Sequence, residues 1–137
     1  MNETENTKLV QLGYEKFGSG DIEGLTELFS DDIRWTTPVV EGAPFTGPRR
    51  GKDDVVEFFK LLSENEEFER FEPLEFVAQN EKVVVLGESR ALIKPTGRNF
   101  ETSWVHIFHV RDGKISEFLE FFDNLAATKA YQKAAKA

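Results

Sequence analysis

Residues 100–122, FETSWVHIFHVRDGKISEFLEFF, spell a β-hairpin. Two runs rich in aromatic and β-branched residues alternate with period two, and Asp112-Gly113 between them is a strong hairpin turn signal. Alternation puts Trp104, His106, Phe108 and Val110 on one face and sends His109 to the other. On the second run Phe118, Glu120 and Phe122 share a face. Moving back along the chain, Phe68–Gln79 and Lys82–Lys94 also read as strands, and Pro95-Thr96-Gly97 as a turn. Further upstream the period becomes helical. Val10, Tyr14 and Phe17, with Leu9 nearby, mark a first helix, with Asn2 and Glu5 as a capping box and Gly18-Ser19-Gly20 at its end. Asp21 caps a second helix whose apolar face is Ile22, Leu25, Leu28 and Phe29. Ile33–Thr37 is a short strand that shows Ile33, Trp35 and Thr37 on one side. Pro38–Arg50, with Gly42, Pro44, Gly47 and Pro48, is a loop. Val55, Phe58, Phe59 and Leu62 define a third helix. The tail from Asn124 to Ala137 reads as helical, anchored by Tyr131. Consecutive strands with segregated helices indicate an α+β fold, with 1–137 as one domain.

The composition narrows the function. The chain has 137 residues, 39% of them hydrophobic and 13 of them Phe. That much aromatic surface builds a packed core or an apolar cavity wall. A formal net charge of −8 repels phosphate backbones and anionic lipid, so neither nucleic acid nor membrane is an expected partner. There is no cysteine, which removes disulfides, thiol nucleophiles and thiolate metal sites. Met1 to Lys8 is polar and acidic, without the basic start and apolar run of a signal peptide, so a cytoplasmic location is expected. Gly47-Pro48-Arg49-Arg50-Gly51-Lys52-Asp53 is not a phosphate loop, because its glycine spacing is short and Asp53 stands where a hydroxyl is required.

Several local sequences, in this order, carry a family likeness. They are Gly20-Asp21, Leu28-Phe29-Ser30-Asp31-Asp32, Trp35 and Pro38, then Gly51 with Phe58-Phe59. Trp104-Val105-His106-Ile107-Phe108, Asp112-Gly113-Lys114-Ile115 and Glu120-Phe121-Phe122-Asp123 follow. The chain resembles the superfamily of ketosteroid isomerases, SnoaL-like polyketide cyclases and nuclear-transport-factor-2-like proteins. The resemblance implies a cone-shaped, curved mixed or antiparallel sheet wrapped around N-terminal helices and enclosing a pocket. It also implies a homodimer through the outer sheet face, to which Phe71, Val77, Val105 and Ile107 are expected to contribute.

Ketosteroid isomerases use a carboxylate base with a Tyr and a protonated Asp as donors to the developing oxyanion. The base position falls here on Thr37, too weakly basic to take a proton from carbon. The Tyr position falls on Gly13, beside Tyr14, and the Asp position on His106. Ketosteroid isomerisation itself is therefore not expected. What the resemblance turns inward is a His106–Glu120 pair among aromatic rings. The pair reads as an acid–base couple or as two buried groups that satisfy each other.

The enzymatic reading makes His106 and Glu120 the catalytic residues of an isomerase, cyclase or lyase acting on a small apolar carbonyl compound. Tyr14, Trp35, Thr37, Trp104, Phe108, Phe118, Phe122 and Asp123 are then substrate-binding residues, and no metal or organic cofactor is expected. The competing readings are an apolar-ligand-binding module without catalysis and a dimerising accessory module. Asp123 has a second reading as a helix cap. Glu88 with Arg90 reads as a pocket pair or an outer-face pair, and Arg49-Arg50 as an anion site or a solvated loop.

Overall fold

The structure, a computed structural model, describes residues 2–132. In chain order it runs α1 (Glu3–Gly18), α2 (Ile22–Glu27), β1 (Phe29–Thr36), β2 (Pro48–Arg50), α3 (Lys52–Asn65), β3 (Glu66–Gln79), β4 (Lys82–Ile93), β5 (Arg98–Arg111), β6 (Lys114–Phe121) and α4 (Asn124–Tyr131). Residues 133–137 of the expected tail helix lie outside the described part. The fold is α+β, and among the described residues no helix is long and apolar enough to cross a membrane.

The local chemistry matches the elements. Asn2 caps α1 by accepting from the Glu5 N–H, and Asp21 caps α2 by accepting from the Gly24 N–H. Two elements differ from expectation. Phe29, expected on the second helix, opens β1, because α2 stops at Glu27 and the Ile115 N–H bonds back to the Leu28 carbonyl. The end of the expected loop, Pro48–Arg50, is the edge strand β2, paired with β1 through Trp35 and Arg49.

Six strands form one curved, unclosed mixed sheet in the order β2-β1-β6-β5-β4-β3. All neighbours are antiparallel except β1 and β6, which run parallel with Trp35 beside Phe118. The helices pack into the concave side: α1 on β3 and β4, α3 on β1 and β2, α4 on β5. Inward and outward residues alternate strictly along β4 and β5. On β3 the alternation slips at irregularities between Phe68 and Arg70 and between Pro73 and Glu75. The first slip turns Phe71 inward, against Trp104 at 5.0 Å, which removes it from the outer face where it was expected. Val77 remains outside and half exposed.

Candidate active site

The concave face and the helices line a cavity of about 110 Å³. Each supporting element brings side chains by its own period. From α1 come Val10, Tyr14 and Phe17, spaced along one helical face; β5 brings Trp104, His106 and Phe108; β6 brings Phe118 and Glu120. The loop after β1 closes one end with Val40 and Phe45, and α4 adds Ala127 and Tyr131. Trp35 stacks on Phe118 at 3.8 Å, and Trp104 stacks on His106 at 3.9 Å.

Gly87 makes the second stack possible. It faces Trp104 across the β4–β5 ladder, where a Cβ would lie 2.2 Å from the indole edge and 2.6 Å from the Glu72 carbonyl oxygen.

The polar centre is a hydrogen-bonded chain. Tyr14 Oη lies 2.7 Å from His106 Nδ1, and His106 Nε2 lies 2.7 Å from Glu120 Oε2. A carboxylate only accepts, so opposite an ionised Glu120 it is the Nε2–H that donates, and Nδ1 of that tautomer is the acceptor for the Tyr14 O–H. His106 is buried, and it lies directly opposite Glu120 in the β5–β6 register. Both of its ring nitrogens are occupied, whereas Glu120 Oε1 has no hydrogen-bond partner among the described residues. Burial, and then the Glu120 charge, push the Tyr14 phenol above its ordinary range. Trp35 Nε1 and Trp104 Nε1 are buried N–H donors without acceptors among the described residues, an exception to the rule that such groups are paired.

A second polar pair lines the same cavity. The Tyr131 hydroxyl donates a short hydrogen bond to Glu66 Oε2. Burial raises the Glu66 carboxyl to about 7; the Tyr131 hydrogen bond pulls against that shift, and the Glu120 charge adds to it. Burial, then the Glu66 charge and the shared hydrogen bond, raise the Tyr131 phenol.

The structure gathers Tyr14, Trp35, Thr37, Trp104, His106, Phe108, Phe118, Glu120 and Phe122 around the cavity. Asp123 is not among its lining residues: it is exposed and caps α4 by accepting from the Ala126 N–H at 3.0 Å. The Thr37 hydroxyl accepts from the Gly47 N–H at 3.0 Å and so pins the base of its loop. Glu88 and Arg90 lie on the outer face, where Arg70 meets Glu88 at 3.4 Å and Arg90 meets Glu101 at 3.1 Å. Arg49 is paired with Asp54 at 2.7 Å. His109 faces outward, 3.5 Å from Glu117. No group of three or more His, Asp or Glu is gathered for a metal among the described residues. Sequence reasoning did not find Glu66 or the Tyr14–His106 contact. The helical phase shared by Tyr14 with Val10 and Phe17 was the one signal for the latter.

The SnoaL-like domain profile matches residues 10–118. The chain belongs to the SnoaL-like family. Its structure is similar to a nuclear-transport-factor-2-like protein from Burkholderia xenovorans, 36% identical, covering 96% of this chain and 99% of that one with a TM-score of 0.88. A second such protein, from Burkholderia pseudomallei, is 28% identical over 96% of this chain and 98% of that one, with a TM-score of 0.84. TerC, crystallised with polyporic acid, is 26% identical over 93% of this SnoaL-like chain and 98% of its own, with a TM-score of 0.80. No curated protein sequence matches the chain.

Proposed function

We propose that this SnoaL-like protein moves a proton on a small apolar carbonyl compound without a cofactor, as an isomerase, cyclase or lyase. The observation that carries this is the Tyr14–His106–Glu120 chain, set in an otherwise aromatic cavity with one carboxylate oxygen open. Glu120 Oε1 takes a proton from the carbon next to the carbonyl and returns it elsewhere on the substrate. His106, held by Tyr14, orients Glu120. The unpaired indole N–H groups of Trp35 and Trp104 supply donors for a carbonyl oxygen, which gains charge as the proton leaves. A cavity of about 110 Å³ limits the ligand to a single ring at most, since a cavity of roughly 150 Å³ holds benzene.

The test is α-deuterium exchange of cyclohexanone in D₂O, followed by NMR, with conversion of cyclohex-3-enone to its conjugated isomer as the second assay. Wild type is expected to exceed buffer in both, and Glu120→Gln to lose roughly 100-fold or more. His106→Ala is expected to fall in the same direction. Wild-type rates equal to those of buffer would sink the enzymatic reading.

That outcome would leave ligand binding without turnover. This reading has its own support: Thr37 is no base, and both His106 nitrogens are taken up inside the protein.

The outer face also favours pairing with a second copy. Its register puts Val77, Val84, Ile107 and Leu119 in one row across four strands, and Leu86, Val105 and Phe121 in the next. Leu86 and Phe121 are exposed there, an arrangement typical of an interface.

A further inference from the structure

Glu66 and His106 reach the cavity from well-separated positions on the sheet. Glu66 opens β3 opposite Ile93, while His106 lies opposite Val85, far along the same β4 strand. Curvature of the sheet brings both side chains to one space. Glu66 is held there from a third direction: Tyr131, at the end of α4, donates to its Oε2. The carbonyl of the preceding Ala130 accepts from the Thr96 hydroxyl in the β4–β5 turn at 2.6 Å, which fixes that end of α4. Glu66 Oε1 has no hydrogen-bond partner among the described residues. A carboxyl oriented on one oxygen and open on the other, in an apolar wall, is built like a ligand contact rather than a closed structural pair.

We propose that Glu66 is a second recognition group of the cavity, donating a hydrogen bond from Oε1 to a ligand oxygen. The preferred ligand is then a small apolar ring with oxygens at two separated positions, one held near Glu120 and the indole donors, the other by Glu66. This rests on the carbonyl reading above and adds the second oxygen to it. Tyr131 from α4 and Glu120 from β6 are the titratable groups that act on Glu66. Glu120, through its repelling charge, favours the protonated acid; the Tyr131 bond pulls the other way and serves to fix which oxygen is left open. Burial keeps a share of the carboxyl protonated at neutral pH. Tyr131 is a positioning residue and touches no ligand in this scheme.

Cyclohexanone and cyclohexane-1,4-dione are matched probes of single-ring size, and neither ionises near neutrality. Their binding is followed through the Trp35 and Trp104 indole N–H resonances at pH 6 and pH 9. At pH 6 wild type is expected to favour the dione roughly five- to tenfold, beyond the roughly twofold that two equivalent carbonyls give by statistics. At pH 9, with Glu66 ionised, that preference is expected to vanish. Glu66→Gln keeps an acceptor for Tyr131 and an N–H₂ donor that does not titrate, so it should favour the dione equally at both pH values. A purely structural Glu66 would give neither the preference nor its rescue. Cyclohexanone bound without preference for the dione would overturn this inference and leave the proposed function standing. No binding of either ketone would overturn both.

Discussion

Glu66 has a folded pKa of about 7 against an ordinary value of 4.5, so folding must carry the cost of its ionisation. A carboxyl raised in this way contributes most below pH 4.5, and its contribution is lost as pH rises through about 7. The loss is capped at about 3 kcal/mol by the size of the shift. Urea unfolding at pH 5 and pH 8 is expected to show wild type less stable at pH 8. Glu66→Gln, which cannot titrate, is expected to flatten that slope, and equal slopes in the two proteins would refute the assignment. The His106–Glu120 pair was legible in the sequence because strand alternation alone fixes its face. The pair made by Tyr14 with His106 joins residues 92 apart, and the one made by Glu66 with Tyr131 joins residues 65 apart. Neither follows from local period, since each requires a helix to be placed against the sheet.

At the scale of elements, β4 serves as the bed on which β5 lays its aromatic side chains. Gly87→Ala puts a methyl group into the Trp104 ring and against the Glu72 carbonyl, so the indole or the β3–β4 ladder must shift. The expected cost is about 1–3 kcal/mol, read by chemical denaturation. A change in Trp fluorescence should accompany it, because Trp104 is displaced from its stack on His106. An unchanged midpoint with an unchanged spectrum would show that the approach is looser than described. The strands themselves were legible from period and turn residues. The face of Phe71 was not, because an irregularity inside β3 reverses parity without a glycine or proline at that point to announce it. The fate of Phe29 was missed for a related reason: its spacing from Leu25 fits a helix, and a pairing partner far along the chain outweighs that fit.

For the molecule as a whole, the outer face divides into two halves. One carries the Arg70, Glu88, Arg90 and Glu101 ion pairs; the other carries Leu86, Val105, Ile107, Leu119 and Phe121. Sedimentation at micromolar concentration is expected to give twice the 15.6 kDa chain mass. Phe121→Glu, which places a charge in the apolar half, is expected to return the monomer mass without loss of fold. A wild-type monomer would rule out the pairing. The parallel union of β1 with β6 has a different consequence, one of time. Trp35 has its sheet neighbour at Phe118, so a chain being synthesised holds β1 without its central partner until most of the sequence has been made. The β3–β4 and β5–β6 hairpins can close as they emerge, whereas the β1 wall of the cavity joins only after a long loop is closed. The cavity is thus the last part of the protein to exist.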